Sequence, residues 1–245
     1  MKSLVKAELF LLSKSSGFKI LLFCSFITGG LACATGIFGI TNERTIGIDG
    51  IIAYQEAAFL IFGSIFTAIF ICNGFKRRTY GLSLLSGNTR LQIFFAKFIV
   101  SFVAMFLLSI IMGTVPFIVA LVNGTINSCR NGVSYVLMRL IYAWTGFMAQ
   151  YSVDIFLAVA VKNGTLTNII GISFKYVLLV IIANMSFYEE PAIEPYVRYT
   201  YLYQVEMFWL REDGFSSGIY LAVTILTFIV SLCLSAWIFV KRELK

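Results

Sequence analysis

Apart from Lys19 and Lys97 at the predicted inner ends, four charged residues lie inside long apolar stretches of this 245-residue chain, where a charged side chain is costly and marks a candidate functional site. They are Glu56, Arg139, Asp154 and Lys175. Glu56 and Arg139 lie close to the ends of their stretches, from which they can reach lipid headgroups. Asp154 and Lys175 lie deeper, in two stretches joined by a tight turn, so an ion pair between them is geometrically reasonable. Such a pair either fixes helix packing or belongs to a transport path.

The residue types present exclude several catalytic chemistries. The chain has no histidine, which excludes a histidine metal site, a zinc-protease helix and a Ser-His dyad. Asp154 is the only aspartate within an apolar stretch, so a paired-aspartate protease lacks its second carboxylate. No phosphate-binding G-x-x-x-x-G-K-[S/T] sequence occurs, and the five cysteines show neither a disulfide framework nor a metal-ligand spacing. We therefore expect no catalytic residue, no metal site and no cofactor bound by this chain.

The composition indicates a membrane protein. Hydrophobic residues make up 59% of the chain and charged residues only 13%. A soluble domain of this length cannot bury so much apolar surface, so the protein must use lipid as solvent. The net charge of +7 does not indicate nucleic-acid binding, because the basic residues flank apolar stretches and are not gathered on one polar face.

The elements that must position these residues are helices. Residues 1–17 place lysines on the arc opposite most of their leucines, which predicts an amphipathic helix in the membrane interface. Six apolar stretches follow, each near the roughly 20 residues that cross a bilayer. The chain is therefore predicted to be an all-α polytopic membrane protein with a single transmembrane domain, 1–245. The predicted spans are 18–40, 51–73, 92–121, 134–160, 166–184 and 218–240.

The distribution of basic residues predicts the orientation. Short cytoplasmic loops of membrane proteins are enriched in Lys and Arg. If the amino terminus is inside, 13 of the 19 basic residues fall in inner segments or at inner span ends. Both termini are therefore predicted to be cytoplasmic.

The last outer loop, residues 185–217, carries six of the eight acidic residues predicted to be outside and many aromatic residues. Tyr and Trp favour the headgroup region, so short helices that dip into the membrane are expected here. One interpretation is an interfacial belt that only anchors the sixth span. The other is an acidic gate above a substrate path, for which the candidate residues are Glu56, Asp154, Lys175, Glu189, Glu190, Glu194 and Glu206.

Residues 75–91 form a basic segment between the second and third stretches. Residues 80–86 are predicted to be a short helix that stops at Gly87 and Asn88. A cytoplasmic helix with apolar side chains and no core of its own is expected to dock into a groove on another protein. Its apolar side chains are Leu82, Leu84 and Leu85, and its basic neighbours are Lys76, Arg77, Arg78 and Arg90.

The same region carries a family resemblance. The run R-x-Y-G-L-x-L-L-S-x-x-x-R-x-x-I-x-x-x-K, with an amphipathic amino-terminal helix and six spans, resembles the ABC-2-type permeases. In that family the region commonly contains G-T-x-x-x-L-L-S, then S-R, an apolar residue and a Lys. Tyr80-Gly81 stands here in place of Gly-Thr, Thr89 stands where Ser is frequent, and the acidic residue common near Lys76 is absent. The matching residues are Thr79, Gly81, Leu84, Leu85, Ser86, Arg90, Ile93 and Lys97.

The resemblance implies a type 2 ABC exporter permease architecture, in which residues 1–17 are the elbow helix and 185–217 form re-entrant helices. It implies a separate nucleotide-binding ATPase subunit that holds ATP and Mg, and a second permease copy or paralogue. It further implies a bacterial cell membrane protein that exports amphipathic or antimicrobial peptides, or other membrane-partitioned substrates, and so contributes to peptide resistance. The residues that it assigns to ATPase coupling are Lys76, Arg77, Arg78, Tyr80, Leu82, Leu84, Leu85, Ser86 and Arg90.

Two other classes of protein remain open. An ion-coupled secondary transporter would use intramembrane charges such as Asp154 and Lys175, and would often show paired broken helices. Only one predicted span, 92–121, is interrupted by glycine and proline. An accessory membrane subunit would use the basic segment only as a topology signal.

Overall fold

The computed structural model describes residues 1–37, 59, 61–77, 79–122, 132–188 and 217–241. Within these ranges the chain is helical and contains no strand. We number the helices in chain order, and α3 contains one π-helical turn, Ala68–Cys72. The helices are α1 (Lys2–Lys14), α2 (Ser16–Ile37), α3 (Ile61–Lys76), α4 (Thr79–Leu85), α5 (Arg90–Val122), α6 (Gly132–Val161), α7 (Gly164–Tyr188) and α8 (Ser217–Lys241).

Three segments of the described helices are long and apolar enough to cross a membrane: Arg90–Met112, Ile141–Val161 and Gly218–Lys241. The pair α1 and α2 would add a fourth if it formed one span, but the chain bends by 64° between them. Helix α3 is apolar but shorter, and the predicted span 51–73 begins outside the described residues. The structure therefore supports a helical membrane protein, while the full set of six spans stays a prediction.

Helix α6 is the central helix of the bundle. It packs against α8, α7 and α3, while α5 packs against α1, α2 and α8. Within its apolar segment 61% of α6 is buried, compared with 22% for α8, so much of the α8 surface is available to lipid. The buried face of α5 repeats every three or four residues, as one face of a helix must. Its members include Ile93, Ala96, Val100, Ala104 and Leu108.

The predicted amino-terminal helix is present, and it has two apolar faces rather than one. Leu4, Glu8 and Leu12, spaced four residues apart, are buried. Leu9 and Leu11, which belong to the same predicted leucine arc as Leu4 and Leu12, are exposed. The first face packs on α5, so the second remains free to meet lipid.

Local signals end and begin the helices next to the predicted docking segment. Gly87 has a φ of +85°, a conformation that glycine adopts without steric cost, and it closes the turn after α4. Thr89 then starts α5 with a capping box. The backbone N–H of Gln92 donates to the Thr89 hydroxyl oxygen at 3.3 Å. The backbone N–H of Thr89 donates in return to the Gln92 side-chain oxygen Oε1 at 3.0 Å. The expected short helix thus has a defined carboxyl-terminal end, and α5 has a defined start.

Candidate functional site

The tyrosine ring of Tyr80 anchors α4 to the membrane helices. Tyr80 is only 3% exposed, and its hydroxyl donates to the Ile71 carbonyl oxygen at 3.0 Å. Its ring contacts Phe75 edge-on at 4.6 Å and Phe239 at 5.2 Å between centroids. Burial raises the pKa of this phenol well above its usual value, and the Glu8 carboxylate adds to the effect, so the hydroxyl remains a donor. Sequence reasoning placed Tyr80 among residues that contact an ATPase, whereas in this structure it serves as an internal anchor.

Close packing explains the glycine that faces this ring. A Cβ atom on Gly74 would lie 2.5 Å from the ring carbon Cζ of Tyr80. Real Cβ contacts are longer than this, so the tyrosine can lie flat against α3 only because residue 74 has no side chain. Gly74 and Tyr80 therefore form one packing unit.

The outward face of α4 is apolar. Leu82 is 66% exposed and Leu85 is 86% exposed. Leu84 is partly buried and packs against the protein's own core, and its predicted contact with a partner stays a prediction. A seven-residue helix with two leucines in solvent is a surface that another protein can cover.

The polar residues assigned to ATPase coupling have different positions. Lys76, Arg77 and Ser86 are exposed around α4, and Arg78 lies outside the described residues. Arg90 is directed inward, and its Nη1 donates to the Val240 carbonyl oxygen at 2.6 Å. It thereby fastens the start of α5 to the end of α8.

Lys97 adds a connection that sequence reasoning missed. Its Nζ lies 2.6 Å from the Glu8 carboxylate oxygen Oε2 and 4.2 Å from the Phe70 ring centroid. These contacts join α1, α3 and α5 around one buried ammonium group. The available signals were isolated charges: Glu8 is the only acidic residue before Glu43, and Lys97 is the only charged residue between Arg90 and Arg130.

The second candidate site is the intramembrane pair. The Lys175 Nζ lies 2.6 Å from the Asp154 oxygen Oδ2, and both residues are 1% exposed. The Ser64 hydroxyl completes the cluster, which joins α3, α6 and α7: it donates to Asp154 Oδ1 at 3.0 Å and accepts from Lys175 at 3.2 Å. The expected contact between Asp154 and Lys175 is therefore present.

Two glycines let the helices approach this cluster. A Cβ atom on Gly63 would lie 3.1 Å from Asp154 Oδ2, and one on Gly171 would lie 3.2 Å from the Ser64 hydroxyl oxygen. Each carboxylate oxygen has a partner, which is the arrangement that a buried charge pair needs in order to be tolerated. This geometry agrees with a structural pair that holds α3, α6 and α7 together, while a role in transport stays a prediction.

The other predicted gate residues, and the side chain of one further intramembrane charge, fall in parts of the chain that the structure does not describe. Glu56, Glu189, Glu190, Glu194 and Glu206 lie outside the described residues, and the Arg139 side chain does too. Among the side chains that the structure describes, no group of three or more His, Cys, Asp or Glu residues could hold a metal ion.

Comparison with known proteins adds no relative. Neither a scan of protein-family models nor a search of curated proteins finds a match for this chain. The resemblance to the ABC-2-type permeases therefore rests on the residues and the pattern of the sequence.

Proposed function

We propose that this chain is the membrane-spanning permease subunit of an ABC transporter, driven by a separate ATPase subunit that docks on α4. The observation that carries the proposal is the exposure of Leu82 and Leu85 on a short helix that is held rigidly from behind. A membrane subunit without a nucleotide site of its own needs such a surface, because ATP hydrolysis on a partner can change its conformation only through a contact between the two.

The docking surface consists of Leu82, Leu85 and the exposed basic residues Lys76 and Arg77. Its chemistry predicts a partner groove with an apolar floor and an acidic rim. The buried leucines would supply most of the binding energy, and the rim charges would mainly guide association.

Force on α4 would reach the bundle through three connections. The Tyr80 hydroxyl of α4 bonds the π-helical turn of α3, while α5, which follows α4 after a short turn, bonds the end of α8 through Arg90 and α1 through Lys97. Displacement of α4 would thus act on three helices together. This arrangement is what a coupling element requires, because a loosely tethered loop would absorb the motion.

The remaining parts of the proposal follow the family resemblance. We propose that the protein lies in the bacterial cell membrane with six spans, both termini in the cytoplasm and a second permease copy or paralogue beside it. ATP and Mg belong to the ATPase subunit. Amphipathic or antimicrobial peptides are the proposed cargo, since they partition into membranes and would meet the acidic, aromatic loop 185–217 on the way out.

One observation favours a different class of transporter. The buried Asp154 and Lys175 pair is the type of intramembrane charge that ion-coupled carriers use. The two classes differ in their energy source. Transport that continues without the ATPase and stops with a protonophore would favour the carrier, whereas the permease needs ATP hydrolysis.

The docking hypothesis is tested with Leu82→Asp/Leu85→Asp in a tagged full-length chain expressed in its host. We expect the ATPase subunit to be lost from the purified complex and transport to stop, while the variant still inserts in the membrane. Leu166→Asp is the matched control, because Leu166 is also about half exposed and follows the turn between α6 and α7. Full ATPase recovery and normal transport in the double variant would refute the proposal.

A further inference from the structure

A cavity of about 320 Å³ lies where α1, α2, α3 and the start of α4 meet. Its lining combines three basic side chains with an apolar wall. The basic residues are Lys14, Arg77 and Lys97, and the apolar wall includes Leu11, Ile69 and Phe70. The cavity shares Arg77 with the docking surface but does not include Leu82 or Leu85.

The charges of this cavity are unbalanced. Lys97 is neutralised by Glu8, which lies 2.6 Å away. Lys14 and Arg77 are exposed, and among the described residues only Glu8 and Asp154 are acidic. Asp154 belongs to the buried pair with Lys175, so no described carboxylate compensates the other two cations. Counted over the part of the chain that the structure describes, the cavity therefore carries about two uncompensated positive charges and favours an anion.

Donor groups of the same cavity suit a phosphate. Ser15 and Ser16 contribute hydroxyl-bearing side chains to the lining, whereas the Thr79 hydroxyl already donates to the Gly74 carbonyl oxygen. Ser16 also begins the 22-residue helix α2, whose first backbone amides lie at the positive end of the helix dipole. Arginine and lysine beside hydroxyl and amide donors form the usual surroundings of a bound phosphate group.

One wall of the cavity is closely packed, and the bend between α1 and α2 indicates the depth of the cavity in the membrane. A Cβ atom on Gly17 would lie 3.1 Å from the Ile69 atom Cγ2, so the start of α2 packs closely on the cavity wall. The chain bends by 64° between α1 and α2, at residues that line the cavity. If α2 enters the membrane and α1 lies on it, the bend lies at the depth of the lipid headgroups.

We propose that this cavity binds the phosphate group of an anionic phospholipid. The basic residues and hydroxyl groups would hold the phosphate, and Leu11, Ile69 and Phe70 would contact the adjoining apolar part of the lipid. A free phosphate ion shares the charge chemistry but would leave the apolar wall without a partner. The bound lipid would join Lys14 of α1 to Arg77 at the start of the docking segment. This inference does not depend on the transport proposal, because binding needs neither an ATPase nor cargo.

The test titrates the purified full-length chain, in neutral detergent, with three probes. These are short-chain phosphatidylglycerol, short-chain phosphatidylcholine and inorganic phosphate, and the apparent Kd is read from the rise in Tm with ligand concentration. We expect phosphatidylglycerol to bind the wild type at least about tenfold more tightly than phosphatidylcholine. A tenfold difference in Kd corresponds to roughly the free energy of one charge-assisted hydrogen bond. Tighter binding of phosphatidylglycerol than of phosphate identifies the lipid as ligand. Equal or tighter binding of phosphate would overturn the lipid assignment.

Matched variants separate a site from general surface charge. Lys14→Gln/Arg77→Gln removes two charges from the cavity and should weaken phosphatidylglycerol binding about tenfold or more. Lys6→Gln/Lys19→Gln removes two exposed charges from α1 and α2 outside the cavity, and should leave the Kd nearly unchanged. The charge-preserving Lys14→Arg/Arg77→Lys variant should keep most of the affinity. Equal weakening in both glutamine variants would overturn the proposal.

Discussion

Lys97 Nζ lies 2.6 Å from the Glu8 carboxylate oxygen Oε2, and this buried contact fastens the amino-terminal helix α1 to the beginning of α5. The ammonium group also lies over the Phe70 ring of α3. One side chain thus holds three elements beside the docking segment.

We predict that Glu8→Gln destabilises the protein by about 3 kcal/mol, because it leaves a buried ammonium group without its counter-ion. Thermal unfolding in detergent measures the loss. Lys6→Gln, on the exposed face of the same helix, is the control. The double variant Glu8→Leu/Lys97→Met should recover much of the stability, since an apolar pair of similar volume needs no counter-ion. A single variant as stable as the wild type would contradict the structural importance of the pair.

Gly74→Ala should be strongly destabilising, because the new Cβ atom would lie 2.5 Å from the Tyr80 ring. The effect should depend on the ring. Combination with Tyr80→Leu should therefore cost less than the sum of the two single changes, and a double-mutant cycle measured by thermal unfolding gives this coupling. Gly30→Ala is the control, since a Cβ atom there meets nothing within 4 Å. Additive losses would show that the two residues act independently.

The Tyr80 hydroxyl can be tested separately from the ring. Tyr80→Phe removes the bond to the Ile71 carbonyl oxygen and should cost about 1 kcal/mol, while the ring contacts with Phe75 and Phe239 persist. In the proposed transporter this variant should retain ATPase binding, because Leu82 and Leu85 are unchanged. Loss of the ATPase from Tyr80→Phe would indicate that α4 needs this bond to hold its docking conformation.

Asp154→Asn and Lys175→Met should each destabilise the protein by about 3–5 kcal/mol, since each leaves an unpaired buried charge. The double variant Asp154→Leu/Lys175→Met distinguishes the two interpretations of the pair. If the pair only stabilises helix packing, the double variant should recover stability and retain transport. A stable double variant that no longer transports would instead assign the pair to the transport path.

The proposed orientation is tested by cysteine labelling in intact cells. On a cysteine-free background, cysteines at Ser83 and Lys245 should resist a membrane-impermeant thiol reagent, and a cysteine at Ser216 should react. Permeabilised cells provide the control, because all exposed positions should then label. Reaction of Ser83→Cys from outside would invert the topology and remove α4 from the side where ATP is available.

The acidic loop can be tested with charge-neutral substitutions at Glu189, Glu190, Glu194 and Glu206. Converting all four to Gln should impair export of cationic peptides more than export of neutral cargo, because only the cationic peptides are attracted by the carboxylates. Basal ATP hydrolysis should remain near normal, since the docking surface is predicted to lie on the other side of the membrane. Equal handling of cationic and neutral substrates after the change would show that the carboxylates only keep an aromatic loop soluble.

Local patterns in the sequence were enough to predict several elements of this fold. The α1 helix follows from alternating lysine and leucine arcs, and the apolar α5, α6 and α8 helices follow from composition alone. The end of α4 follows from Gly87, whose positive φ depends on that residue and its immediate neighbours. Such features were predictable because their causes lie within a few residues of one another.

Tertiary structure alone decided which side chains face inward. Leu82, Leu84 and Leu85 are equivalent in the sequence, but only Leu84 meets the core, because Tyr80 is held against α3 and α8 and fixes the rotation of α4. The sequence also does not predict which residues far apart in the chain pair with each other. Glu8 contacts Lys97. Ser64 joins the Asp154 and Lys175 pair only where α3, α6 and α7 converge. A charge in an apolar stretch shows that a partner is needed, since an isolated buried charge is too costly. The identity of that partner depends on helix packing, which no local pattern encodes.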